Sequence, residues 1–125
     1  MTNFSLEQLR AAAVWCVHLA VSLVPAYETA ISKDEMEQAF VDEFCAYLEE
    51  RDSGLAYEEF MEDYSGCVRI GEPLSDGISL MSRALRHFYP DSDWIFYGDR
   101  IWFSPSGEVY AAMSMATPVR IFPAI

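Results

Sequence analysis

The chain has 125 residues, of which 52% are apolar and 14% aromatic, and it carries 20 acidic residues against eight Lys or Arg. This length suits a single domain over residues 1–125, and the aromatic content argues against a disordered acidic tail. The net charge of −12 argues against nucleic acid or an anionic membrane as a direct partner, because phosphate contacts need Lys and Arg.

The first predicted helix spans residues 6–24. Ser5 is placed as its N-cap and Gln8 as the third helical residue, the spacing of a capping box. The apolar run from Ala11 covers about fourteen residues, whereas a membrane span needs about twenty, and it lacks the positive start of a secretory signal. The run therefore predicts a buried core helix, with His18 as a core or interface histidine.

The second predicted helix spans residues 33–51 and starts with a second capping box, formed by Ser32 and Glu35. Its apolar side chains step by four, as expected of a core-facing stripe. The stripe consists of Met36, Phe40, Phe44 and Leu48. Acidic residues occupy the opposite side, with only Lys33 to balance them, which favours a recognition surface over an ordinary solvated face.

A short third helix is predicted over residues 56–64 and extends the same acidic segment. The candidate partner-binding residues are Glu35, Asp42, Glu43, Glu49, Glu50, Glu58, Glu59, Glu62 and Asp63. A fourth helix, capped by Ser75 or Asp76, is expected to end at Tyr89-Pro90.

After this fourth helix the apolar period changes from 3.6 to 2. Residues 94–97 and 100–103 around Gly98-Asp99 predict a two-residue hairpin, residues 108–114 a further strand and residues 119–122 an edge strand flanked by prolines. The aromatic residues expected on the helix-covered face are Trp94, Phe96, Trp102 and Tyr110, and both faces of the sheet are expected to be partly covered. Together the elements predict an α+β fold, with about four helices in the N-terminal two-thirds packed on a C-terminal antiparallel β-meander of three to four strands.

Three cysteines, Cys16, Cys45 and Cys67, are widely spaced and form no C-x-x-C motif. An odd, scattered set argues against a disulfide framework or a zinc site and favours reduced thiols acting as small buried hydrophobes. A cytoplasmic location follows, in the host cytoplasm if the chain is phage-encoded.

A weak alternative is a small enzyme or enzyme subunit that uses His87 with Asp91, Asp93 and Asp99, residue types that also ligate divalent metals. Turn chemistry accounts for the same residues. The chain has no G-x-S-x-G, glycine-rich phosphate loop or H-E-x-x-H motif. The sequence therefore predicts no catalytic residue, no metal ion and no cofactor.

The run from Ile101 to Tyr110 resembles the hairpin of SUKH-type toxin-immunity proteins, in which a strand, a turn ending in glycine and a Val-Tyr strand recur. The resemblance covers ten residues of a common strand-turn-strand type, and it assigns no family.

The negative charge is concentrated between residues 28 and 76, where 15 acidic residues stand against three basic ones, while the flanks are neutral. Such a field steers a basic partner toward one face. The sequence thus predicts an inhibitor that blocks a basic, nucleic-acid-binding surface of a partner protein such as a nuclease or CRISPR effector subunit, in an anti-CRISPR-like role encoded by a phage or mobile element. A toxin-neutralising immunity protein is the alternative, and the chain is expected to be a monomer or homodimer.

Overall fold

The computed structural model describes residues 4–23, 32–50, 68–74, 77–94, 99–103, 107–113 and 116–123, and between residues 32 and 50 it describes side chains as far as residue 47. This part of the chain holds the helices α1 (Leu6–Leu23), α2 (Lys33–Glu50) and α3 (Leu80–Leu85), and the strands β1 (Val68–Arg69), β2 (Arg100–Phe103), β3 (Val109–Ala112) and β4 (Val119–Phe122). Helices followed by an antiparallel sheet confirm the α+β class.

Both long helices begin at their predicted capping boxes. Ser5 Oγ accepts the Gln8 N–H at 3.1 Å, and the Ser5 N–H donates to Gln8 Oε1 at 3.1 Å. At the start of α2 the Glu35 N–H donates to Ser32 Oγ at 3.2 Å. Each bond satisfies an N–H that has no partner inside the helix, so both starts lie where the sequence predicts them.

The sheet has the order β1-β2-β3-β4 with every pair antiparallel. The predicted hairpin between residues 94–97 and 100–103 is wrong for residues 100–103, which form β2. Ile101 of β2 pairs with Val68 of β1 on one side and with Ala111 of β3 on the other, so both sides of β2 are already occupied. The β3–β4 ladder contains a bulge, in which Val109 pairs with Phe122 and Tyr110 with Arg120.

Three helices, rather than about four, are found in the described ranges. The helix predicted over residues 56–64 lies outside them, as do both predicted caps of the last helix. That helix, α3, starts later than predicted because Ser79 is its N-cap: Ser79 Oγ accepts the Ser82 N–H at 3.1 Å.

The main core lies between the helices and one face of the sheet. Ile101 and Phe103 of β2 and Val109 and Ala111 of β3 join the helices in this core. Trp102 points to the opposite face, where it packs with Tyr110 and Ala112. The prediction that Trp102 and Tyr110 lie on the helix-covered face is therefore wrong, whereas cover on both faces is confirmed, since Trp102 is 0% exposed.

Candidate partner-binding surface

The outer face of α2 carries a row of polar side chains that the core leaves exposed. Glu35, Gln38 and Asp42 are exposed, whereas Met36 and Phe40 on the other side of the helix are 1% exposed. We call Glu35, Gln38 and Asp42 the acidic stripe. Seven residues of helix separate its two carboxylates by about 10.5 Å along the axis, and their support is rigid because the opposite face of the helix is buried.

Within the stripe, the amide of Gln38 holds the carboxylate of Asp42. Gln38 Nε2 donates to Asp42 Oδ1 at 2.9 Å, four residues along the exposed face. This bond restricts the Asp42 side chain while leaving it exposed, so part of the ordering that binding requires is already present.

Glu43, also predicted to bind the partner, is engaged within the fold. Its Oε2 lies 3.0 Å from Nε2 of His87, which follows α3, and the Glu43 side chain is only 20% exposed. The pair links α2 to the end of α3. Glu43 therefore contributes to packing between helices, and the exposed carboxylates of Glu35 and Asp42 define the outward surface.

Positive charge borders the stripe on its α1 side. Arg10 of α1 lines a narrow cleft with Asp34, Glu37 and Gln38. The acidic stripe therefore has Arg10 on the side of α1, while His87 contacts Glu43 on the side of α3.

The remaining predicted partner-binding residues are only partly located. Glu49 and Glu50 occupy the last turn of α2, with side chains beyond those described. Four further predicted acids lie outside the described residues: Glu58, Glu59, Glu62 and Asp63.

The alternative set around His87 is dispersed. His87 contacts Glu43, Asp91 and Asp93 are exposed, and Asp99 is buried at 4% exposure. The turn after α3 is closed by the Ser92 N–H donating to the Tyr89 carbonyl at 2.9 Å. Within the part of the chain that the structure describes, no three His, Cys, Asp or Glu side chains form a group able to hold a metal ion.

Cys16 is a buried thiol on the core side of α1. Burial, with a smaller contribution from the negative charge of Asp99, raises the pKa of Cys16 well above its ordinary value. As pH rises through the ordinary thiol range, the unfolded chain loses this proton while the folded chain keeps it, so this group makes the fold less stable at alkaline pH.

We expect a thiol reagent to modify Cys45 before Cys16 in the native protein, because Cys45 is half-buried and Cys16 is 0% exposed. Residue-specific mass spectrometry over a time course measures both rates, and denatured protein is the control in which both react. Equal native rates would contradict the placement of Cys16 in the core.

The location of the His18 side chain differs from the one that the sequence predicts. The sequence predicts a core or interface histidine, and because His18 is exposed, the core placement is wrong. Three clefts meet at this residue, and their other walls include Trp15, Met113 and Ile121. The sequence does contain an indication of this exposed position. The apolar run of α1 covers more of the helix circumference than the single stripe that a surface helix buries, so some of its residues lie on the outer side.

No described helix combines the length and apolar character needed to span a bilayer. Comparison of the chain with protein-family models, with curated proteins and with solved structures finds no match.

Proposed function

We propose that the protein is an acidic inhibitor that binds a basic, nucleic-acid-binding surface of another protein and blocks it. The observation that carries this proposal is the acidic stripe: Glu35 and Asp42 are exposed on a helix whose opposite face is buried in the core. Carboxylates on a rigid support need little reorganisation to meet a basic groove.

Long-range electrostatics supports the same function. The whole net charge of −12 belongs to the segment between residues 28 and 76, to which α2 contributes most of the described acids. DNA presents one negative charge per roughly 1.7 Å of axis. The acidic stripe is a sparser array, so it competes for a groove built for nucleic acid by charge and shape rather than by matching each phosphate.

Two biological settings share this physics: inhibition of a defence nuclease or CRISPR effector by a phage or mobile-element protein, and neutralisation of a toxin by its immunity protein. The identity of the captured partner distinguishes them. The enzyme alternative has less support, since His87 contacts Glu43 while Asp99 is buried.

We expect the double reversal Glu35→Lys with Asp42→Lys to slow association with the partner about tenfold at low salt, because the field that steers the encounter is weakened. The partner is first captured from cell lysate on the wild-type protein, identified by mass spectrometry and purified. Association rates are then measured by biolayer interferometry at low and high salt.

The matched control is the double reversal Asp91→Lys with Asp93→Lys, which makes the same change in charge at two exposed positions away from α2. We expect this control to associate at close to the wild-type rate. Equal slowing by both double variants would show that only net charge matters, and no slowing by the stripe variant would refute a role for the stripe. The loss should shrink at high salt, where exposed charges are screened.

A further inference from the structure

Within the described ranges, β4 has a strand neighbour on one side only, at the edge of the sheet opposite β1. It is the last strand in the order β1-β2-β3-β4, and Val119 and Arg120 are exposed. Among the described residues, no backbone hydrogen bond other than the β3 ladder reaches β4. Alternate residues of such a strand direct N–H and C=O groups outward, so the edge is a template for another strand.

An apolar groove runs beside this edge, between β4 and α1. It has a volume of about 460 Å³ and is lined by Ala11, Val14, Trp15, His18 and Ile121. A second cleft, which shares Trp15 and His18, extends the apolar surface to Met113, whose side chain is 46% exposed. An open strand edge and an exposed apolar helix face thus lie side by side.

The charges around the groove differ at its two ends. Glu7 lies one turn before Ala11 on the same face of α1, and His18 lies three turns further along. Lys33, the only lysine of the chain, lines a cleft with His18. One end of the surface therefore carries the carboxylate of Glu7, and the other carries the His18 ring, whose N–H can donate a hydrogen bond to a carboxylate.

We propose that this face, formed by the outer edge of β4 and the outer face of α1, is the interface of a two-fold symmetric homodimer. A two-fold axis that passes between Ala11 and Val14 sets the two α1 helices antiparallel. Glu7 of one copy then meets His18 of the other, twice per dimer. The two β4 edges also run antiparallel, which joins the two four-stranded sheets into one.

The distribution of charge selects a second copy over a basic partner. The residues that line the groove include no acid, and Arg120 is exposed on its strand. A basic protein is drawn instead to the acidic stripe on α2. In the dimer, the acidic stripe lies outside the residues that line the groove, and repulsion between the negative charges of the two copies is screened by salt.

Charge reversal across the axis tests the pairing. Glu7 and His18 are eleven residues apart on one helix, about 16 Å, so they cannot contact each other within a copy. We expect Glu7→Lys and His18→Glu each to weaken dimerisation by about tenfold, because the first removes the carboxylate that His18 meets and the second sets two carboxylates against each other. The double variant restores it to near the wild-type value. Sedimentation velocity over a wide range of protein concentration measures the dissociation constant.

Two further variants complete the design. Val119→Lys places a charge on the strand edge at a position that is 59% exposed, and we expect it to abolish the dimer while the circular dichroism spectrum stays unchanged and the melting temperature no longer depends on protein concentration. Asp91→Lys, at an exposed position remote from the face, is the control and should leave dimerisation unaltered. A wild-type protein that is monomeric at every concentration, or a dimer insensitive to Val119→Lys, would overturn the proposal without affecting the proposed function.

Discussion

Replacing Phe44 by alanine should lower the free energy of unfolding by about 4 kcal/mol, the usual cost of removing a buried aromatic ring. Phe44 is 0% exposed, and its ring packs edge-on against that of Phe103 with the centroids 5.5 Å apart. The contact joins α2 to the helix-facing side of β2, so the substitution opens a cavity between helix and sheet. Chemical denaturation followed by tryptophan fluorescence measures the loss.

A domain of this size has about 5–15 kcal/mol of stability, so Phe44→Ala leaves little reserve. Phe44→Leu fills most of the space, and we expect it to cost about 1.5 kcal/mol or less. Leu6→Ala is the control, because Leu6 is 57% exposed and a surface change of this kind costs about 0.5 kcal/mol or less. A similar loss for Leu6→Ala and Phe44→Ala would contradict the assignment of Phe44 to the core.

Replacing Ser82 by alanine is expected to cost about 2–3 kcal/mol, because a buried N–H loses its acceptor. Ser82 is 0% exposed, and its Oγ accepts the main-chain N–H of Trp94 at 2.6 Å and lies 3.0 Å from Ser79 Oγ. Ser79 Oγ in turn donates to the Trp94 carbonyl at 2.5 Å. The two hydroxyls therefore fasten the chain at Trp94 to the start of α3.

The comparison variant for this second prediction is Ser22→Ala. The Ser22 hydroxyl also bonds a carbonyl, that of Leu19 at 3.0 Å, but Ser22 is exposed, so water can replace the bond. We expect Ser22→Ala to change stability by about 0.5 kcal/mol or less. Thermal and urea unfolding give both values, and a Ser82→Ala protein as stable as wild type would show that the buried network contributes little.

Local signals in the sequence predict local structure well in this chain. The capping boxes at Ser5 and Ser32 and the apolar stripe through Phe40 depend on residues within one or two turns. The structure places both caps, and Met36, Phe40 and Phe44 of the stripe, as predicted, while the side chain of Leu48 lies outside those described. The exposure of Glu35 and Asp42 follows from the same period, because fixing the buried face of a helix also fixes its outer face.

Pairing between distant segments could not be predicted in the same way. The Gly98-Asp99 signal indicates a hairpin, yet Ile101 pairs with Val68, which lies on the other side of α3 in the chain. Alternation also fails on β2, since Ile101, Trp102 and Phe103 are all buried and apolar residues therefore occupy both faces of the strand. The bond between Glu43 and His87 joins residues 44 positions apart, and neither one predicts the other.

Two hydrogen bonds of the Gln8 side chain form at different stages of folding. Its carbonyl oxygen completes the cap of α1 with Ser5, three residues away, while its amide nitrogen donates at 3.0 Å to the carbonyl of Glu108, 100 residues further along the chain. The local bond can form as soon as the helix does, whereas the distant bond must wait for loop closure, which is slow for contacts of such separation. During synthesis, α1 therefore stays without this bond to Glu108 until the start of β3 has emerged.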